Sequence, residues 1–600
     1  MLNQPLKDTI VGRILPRVQT PAQYVGGELG AVVKDHCTVR GRLCLTFPDT
    51  YSIGMSHHGL QVLYAVMNGR DDWLCERAFA PAADMEQLLR DYGLPLYSLE
   101  SFTPLHAFDV LGFTLQYDLC CTNVLTMLDL GGIPLAAADR TLDHPLVIAG
   151  GPGASNPEPL ARFFDLFVVG DGEEMLPRVC DEWLRLKQAG GDRESLLAQL
   201  AARLPSVYVP RFYDPQYDAA GRFAGVRRLR DDVCARIEPA VIENLDAAPL
   251  PTRPVVPYVE CVQDRIAIEI MRGCPNRCRF CQSTTIKRPV RFRSVETIVA
   301  AALESYRNTG LNEISLLSLS TSDYPHFGEL MRRLQETFRP LGVGISLPSL
   351  RINEQLQLVG ELMNTDRHSG LTLAPEVALD DMRQQVGKRI TNEDLYAGCR
   401  RAMENGFTRV KLYFMCGLPG EREADLDGII DMAENISRLG KEVTGRMATV
   451  VANVSNFVPK PQTPYQWSTM QRREYFRAAH ARLYARKRLK SVQLKCHDIE
   501  SSLLEGVLCR GDRRVGEAIE LVWRRGARFD AWAENAQPAR WWQALEETGV
   551  DVEQILHAPR PADSPLPWEH IAIRQGIEYL QREHQESLAQ LTTMESRTTL

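Results

Sequence analysis

The chain has 600 residues, enough for about three or four domains. Hydrophobic residues make up 44% and charged residues 24%, the balance of a folded globular protein rather than a disordered or fibrous one. A net charge of −7 excludes a protein that coats nucleic acid over its whole surface. Fifteen cysteines, scattered apart from one triplet and the pair Cys120 and Cys121, suit a reducing cytoplasm. Residues Met1 to Asp8 lack an apolar signal core, and no apolar run approaches about 18 residues, so no membrane span is expected.

Residues 1–40, interrupted by Pro5, Pro16, Pro21 and Gly26, read as an adaptor. The pattern sharpens at Leu43–Phe47, a buried-strand pattern followed by a loop to Gly54 and a helical stretch His58–Met67. Similar units follow at Phe108–Leu115, Pro145–Ala149 and Leu166–Glu174. Strand, loop and helix alternate, which predicts a doubly wound parallel sheet. Ligands of such sheets bind beyond the C-terminal strand ends, where Gly150, Gly151, Gly170 and Gly172 permit close backbone approach. Residues 181–257 read as an accessory segment, with a proline-rich linker at Pro249–Pro254.

A short apolar strand, Arg265–Ile270, then runs into a loop broken by Gly273 and Pro275. That loop carries Cys274, Cys278 and Cys281 in a C-x3-C-x2-C spacing. Thiolates ligate the iron of iron–sulfur clusters. Three cysteines leave one iron of a four-iron cubane without a protein ligand, open to an external molecule. The alternatives are a zinc site or three unrelated thiols, but zinc normally takes four N or S ligands and no fourth lies close by in sequence.

Alternation then resumes. Val295–Thr309 reads as a helix with Ser294 as its cap, and strands follow at Glu313–Ser320, Gly344–Arg351, Leu371–Glu376, Arg409–Met415 and Thr449–Ser455. With Arg265–Ile270 these are six, a partial barrel whose functional groups belong at the C-terminal strand ends.

The ordered set of the cysteine triplet, Ala374-Pro375-Glu376, Gly417–Glu421 and Pro459–Pro464 resembles the radical S-adenosylmethionine (SAM) superfamily. The resemblance implies a 4Fe–4S cluster on Cys274, Cys278 and Cys281, with SAM on the open iron and Phe280 as a shield. It implies SAM contacts from Ser318 and Ser320, from Glu376, from Lys388 or Arg389 toward the SAM carboxylate, and from Gly417 and Pro419 near adenine. The tail Phe457–Pro464 is similar to the barrel end of tRNA methylthiotransferases. The first half resembles the cobalamin-binding domain of one radical SAM class. There the first loop reads Asp-x-His-x-x-Gly, and here it runs Asp49 to Gly54 with Tyr51 in the histidine position. Thr114, Gln116, Gly150, Gly151, Gly170 and Gly172 match the remaining loops, and His57 and His58 stand nearby as other candidate cobalt ligands. In all, the expected fold is α/β: a Rossmann-like cobalamin-binding domain at 41–180, a partial (β/α)6 barrel at 258–470 and an α-rich extension at 471–600.

In that extension, residues 471–495 hold nine Lys or Arg against one Glu, a face suited to RNA phosphates or to plain solvation. Cys509–Arg514 and Gly526–Trp532 are candidates for a substrate lid, and His497, Asp498 and Glu500 for acid or base roles. The resemblance implies a radical SAM enzyme that methylates an unactivated carbon with cobalamin, reduced by a donor such as flavodoxin or ferredoxin. Its substrate is open, with RNA or a ribosome-associated molecule one candidate. The rival readings are a methylthiotransferase-like RNA-modifying enzyme, whose second cluster would need Cys37, Cys44 and Cys75, and a non-enzymatic iron–sulfur factor.

Overall fold

The computed structural model describes residues 2–346 and 370–598. The first sheet contains β1 (Gly41–Phe47), β2 (Trp73–Phe79), β3 (Val110–Thr114), β4 (Leu146–Gly150), β5 (Leu166–Val168) and β6 (Val207–Tyr208). Its order is β2-β1-β3-β4-β5-β6. The first five strands are parallel and β6 runs antiparallel beside β5. Their near-continuous apolar runs are buried on both faces, as a parallel sheet under two helical layers requires. The order from β2 to β5 is that of a flavodoxin-like sheet, with its ligand crevice at the strand C-termini. The sheet therefore extends past residue 180, the expected boundary. An antiparallel hairpin follows, β7 (Tyr213–Tyr217) with β8 (Phe223–Arg228).

The second half begins with β9 (Ile266–Glu269). A small ribbon, β10 (Met271–Arg272) with β11 (Arg291–Phe292), brackets the cysteine loop. Next come β12 (Glu313–Leu317), β13 (Gly344–Ser346), β14 (Leu371–Glu376), β15 (Arg409–Cys416), β16 (Thr449–Asn456) and β17 (Val492–Cys496). They form two parallel sheets, β13-β12-β9 and β14-β15-β16-β17. Of the expected strand Gly344–Arg351, the portion after Ser346 lies outside the described residues.

Two corrections apply to the partial (β/α)6 barrel. It gains a seventh strand, β17, from the stretch expected to be helical, because Val492 and Leu494 alternate with Gln493 and Lys495 and bury one face against β16. The basic helix is also real but shorter, Arg473–Arg486, and much of its charge is already neutralised within the chain. Arg473 pairs with Glu500, Arg482 with Asp427 and Arg486 with Asp431. Exposed pairs of this kind contribute little stability, but they occupy groups that an RNA backbone would need.

The polar stretch after residue 560 ends in a long helix, Ile577–Thr598, that lies against the cysteine loop. Buried Arg279 donates to Glu583 (3.2 Å), to Gln590 (2.7 Å) and to the Gln385 carbonyl (2.7 Å). Gln385 in turn donates to Ser587 at 2.6 Å. No helix among the described residues is long and apolar enough to cross a membrane.

Candidate active site between the two sheets

The C-terminal ends of β1, β3, β4 and β5 open into a cavity of about 560 Å³, whose far wall is the start of the barrel. Its floor is apolar, with Leu45, Phe113, Ile148, Val168 and Leu176. Its polar rim includes Thr114, Gln116, His57 and His58 on the first-domain side, and Arg272, Ser283, Lys287 and Ser318 on the barrel side. The size and the apolar lining with a few polar groups are those of a cofactor pocket.

Six of the expected cobalamin contacts line this cavity: Thr114, Gln116, Gly150, Gly151, Gly170 and Gly172. The glycines do different work. At Gly151, φ is +98° and a Cβ would stand 2.7 Å from the Leu115 carbonyl oxygen. At Gly170, φ is +101° and a Cβ would stand 2.2 Å from the Ala240 carbonyl oxygen. Both are forced by backbone packing behind the wall. A Cβ on Gly150 would meet only the Val168 carbonyl at 3.5 Å, so its bare face leaves room for a ligand.

Tyr51 and Gly54 are not among the residues lining this cavity. The Tyr51 hydroxyl donates to Glu28 at 2.9 Å and accepts from the Tyr258 N–H at 3.3 Å. Gly54 makes room for Phe79, whose ring would lie 2.2 Å from an added Cβ. Both residues serve the packing of the first loop.

The two histidines do reach the cavity. His57 Nδ1 accepts from the Leu60 N–H at 3.0 Å, so the neutral ring carries its proton on Nε2. Burial pushes His57 down to about 4, leaving it neutral and a donor rather than a metal ligand. His58 is also shifted down by burial. Both its ring nitrogens are enclosed without a hydrogen-bond partner, so it alone of the three first-loop candidates has an uncommitted nitrogen at the cavity.

An ionic network that sequence reasoning missed pins the cysteine loop to this wall. Arg272, two residues before Cys274, reaches Asp171 (3.1 Å), Glu173 (2.5 Å) and Glu269 (2.8 Å). Arg291 adds a bond to Asp171 at 2.5 Å. Burial opposes the charge on Arg272, but Glu269 and Glu173 outweigh it and raise its pKa. Asp171 sits at 171 and Arg272 at 272, so no local spacing signals the pair.

The three cysteines sit between β10 and the short helix Gln282–Ile286. Cys274 and Cys278 are buried and Cys281 half-buried. Burial raises the Cys281 thiol, while backbone N–H groups of Thr284 and Ser283 pull it down and the Cys274 sulfur lies near enough to raise it. Asn276 donates to Cys274 Sγ at 3.3 Å. Among the described residues, no three His, Cys, Asp or Glu side chains are gathered as a single metal ion needs. Zinc would draw its sulfur ligands to about 2.3 Å from one centre. A cubane instead spreads its thiolates over separate irons, and a loop that offers three thiols in eight residues, backed by N–H donors, fits that group.

The residues expected around SAM divide. Phe280 packs against a small apolar cluster that includes Val377, Met382 and Leu418. Glu376, at φ +70° on the end of β14, accepts from Lys388 Nζ at 3.0 Å; Arg389 points to an outer groove with Arg277. Ser318 lines the cavity and shares a hydrogen bond with Thr321 at 2.9 Å, whereas Ser320 is buried and donates to Asp323 at 2.6 Å. Gly417, at φ +89°, leaves room for the Phe476 ring, 2.6 Å from an added Cβ. Its N–H donates to Glu421 at 2.8 Å, which closes the turn that carries Pro419.

The C-terminal candidates are structural. Asp498 caps the helix Ile499–Arg510 and Glu500 is held by Arg473 and Trp542. Arg513 pairs with Glu158, Trp532 donates to Asp49, and Asp530 accepts from Thr122. These contacts bolt the extension onto the first sheet. His497 is exposed, as Asp498 is, and stands 3.5 Å from the Ser455 hydroxyl. Cys44 and Cys75 are buried in β1 and β2 and Cys37 is exposed, which is no arrangement for a second cluster.

Fold and site together define an α/β protein in which residues flanking a three-cysteine loop line a cofactor-sized cavity. Residues 59–210 match the family of radical SAM proteins, N-terminal, and residues 268–433 match the radical SAM superfamily. The chain belongs to the radical SAM superfamily of enzymes. It is 26% identical to an uncharacterised protein of Methanocaldococcus jannaschii, MJ0966, over 78% of this chain and 92% of that one. It is 26% identical to the ribosomal protein uS12 methylthiotransferase RimO of Pelotomaculum thermopropionicum, over 48% of this chain and 65% of that one. Among solved structures it is similar to the radical SAM methyltransferase TsrM of Kitasatospora setae, with cobalamin and a 4Fe–4S cluster bound. The TM-score is 0.51 and the identity 13%, covering 85% of this chain and all of that one, a likeness of fold.

Proposed function

We propose that the chain is a cobalamin-dependent radical SAM enzyme that methylates an unactivated carbon. One observation carries the reading: the strand-end cavity of the first sheet is walled on its other side by Arg272, Gly273 and Ser283, which flank the loop of Cys274, Cys278 and Cys281 on both sides. When bound, a cluster with SAM would supply a 5′-deoxyadenosyl radical, and a corrinoid would supply the methyl group. The chain's own residues would hold and orient them. Thr114, Gln116 and the bare face of Gly150 would seat a nucleotide tail over the apolar floor. Cys274, Cys278 and Cys281 would hold the cluster, and the Glu376–Lys388 pair would meet the polar end of SAM. The Arg272 network would fix the distance between the two cofactors, and the helix Ile577–Thr598 would keep water from the outer side of the loop. The buried cysteines of β1 and β2 weigh against the methylthiotransferase alternative.

The test is anaerobic reconstitution with iron and sulfide, followed by reduction with SAM. Wild type should release 5′-deoxyadenosine and retain a corrinoid spectrum, and Cys278→Ala should release none. A reconstituted cluster without SAM cleavage would falsify the reading, and cleavage without corrinoid uptake would remove its methylation half.

A further inference from the structure

The barrel has two faces of opposite character along β15 and β17. Val410, Leu412, Val492 and Leu494 are buried under the outer helices. Side chains alternate along a strand, so Lys411, Tyr413 and Lys495 fall on the inner, concave face, where both lysines are exposed. The inner-face charges of the other strands are neutralised. Arg265 on that side binds Glu313 at 2.9 Å, Glu269 binds Arg272, and Glu376 binds Lys388.

The two lysines have no such partner. Among the described residues, Lys411 Nζ makes only a cation–π contact, 5.3 Å from the Tyr413 ring centre. The Lys495 ammonium has neither an ion pair nor a hydrogen bond there. Lys495 lies level with Asn453 and Tyr413 across the sheet, and Lys411 level with Val451 and Gln493. Strand spacing and rise put their Cα atoms about 12 Å apart, and two flexible four-carbon stems can close on one anion across that span. These are two exposed positive charges on one face of the sheet, without an anionic partner among the described residues, in a chain of net charge −7.

We infer that the substrate bears an anionic group, phosphate or carboxylate, held on the concave face by Lys411 and Lys495. The Ser455–His497 pair lies further along the neighbouring strands, and the strand of Lys411 also carries Met415, which packs against the same cluster as Phe280, so an anion seated there would direct the rest of its molecule at the barrel mouth. Calling this molecule a substrate rests on the enzyme reading above; the anion site does not.

The experiment is calorimetric titration of the full chain with inorganic pyrophosphate and, separately, citrate at constant ionic strength. One probe should bind with Kd below about 1 mM. The Lys411→Met/Lys495→Met double variant should weaken it by about tenfold or more, and the double Arg variant should stay within about threefold. Lys441→Met, an exposed lysine on the outer helix Glu423–Thr444, should match wild type. Preference for pyrophosphate assigns phosphate, and preference for citrate assigns carboxylate. Three outcomes overturn the site: neither probe binds, the double Met variant binds like wild type (an adventitious ion only), or Lys441→Met loses as much. The readout is binding to the protein without cofactors. Intact probe binding with no SAM cleavage sinks only the enzyme reading, and the reverse sinks only the anion site.

Discussion

Glu421 closes the Gly417–Glu421 turn and is the most informative single group to perturb. Burial pushes its carboxyl from 4.5 up to about 7, against the pull of the Tyr475 hydroxyl and the Gly417 N–H. Both donors address Oε2, which leaves Oε1 for the proton. The sign follows from linkage. The unfolded chain releases this proton near pH 4.5 while the folded chain holds it to about pH 7, so stability falls as pH rises through that window and levels off above it. A displacement of that size is worth about 3 kcal/mol. Glu421→Gln keeps an acceptor for both donors and has nothing to titrate. The variant should match wild type near pH 5 and exceed it by about 3 kcal/mol at pH 8, which shifts the barrel transition by roughly 6–12 °C. Scanning calorimetry at fixed scan rate, run on both proteins from pH 5 to 8, reads the difference directly. If the gap between the two melting temperatures does not change with pH, Glu421 titrates as an ordinary carboxylate and the argument is wrong.

Three further outcomes are expected. Gly151→Ala must fit a Cβ 2.7 Å from the Leu115 carbonyl at φ +98°, so it should lower stability by about 1–3 kcal/mol and reduce corrinoid retention; an unchanged melting curve would count against it. Arg279→Met removes the buried cation that Glu583 and Gln590 approach, at a cost of about 3–5 kcal/mol for a broken buried pair. Limited proteolysis should then cut within 577–598 faster than in wild type, and an unaltered digest would refute the clamp. Asp171→Asn strips the shared partner of Arg272 and Arg291, so the first transition should fall by about 2–4 kcal/mol, read by calorimetry, with Lys441→Met as the silent comparison.

What the sequence made legible followed from local periodicity. The apolar runs of β1, β3 and β4 and the alternation of β15 announced themselves because each strand's burial is written in consecutive residues. The glycine loops did so because their backbone demands are local. The C-x3-C-x2-C loop was legible because its spacing is chemistry. Partners far apart in sequence were not legible. Nothing near Arg272 marks Asp171 as its partner, and nothing near Arg279 marks Glu583. Tyr51 was misleading because register alone places it at a ligand position, while the adaptor's Glu28 turns it away. The strand β17 was hidden by the density of Lys and Arg around it, which masked a period of two. His58 stood beside His57 as a candidate in the sequence, and only the enclosure of its two nitrogens sets it apart from its neighbour.

The clamp on the cysteine loop joins residues 304 positions apart, Arg279 and Glu583. A ribosome therefore finishes the loop long before it makes the helix that seals it. During that interval the three thiols stand open to whatever delivers iron and sulfide, and closure comes only with the late-made segment. Topology alone thus leaves that side of the loop uncovered until the last helix has been made.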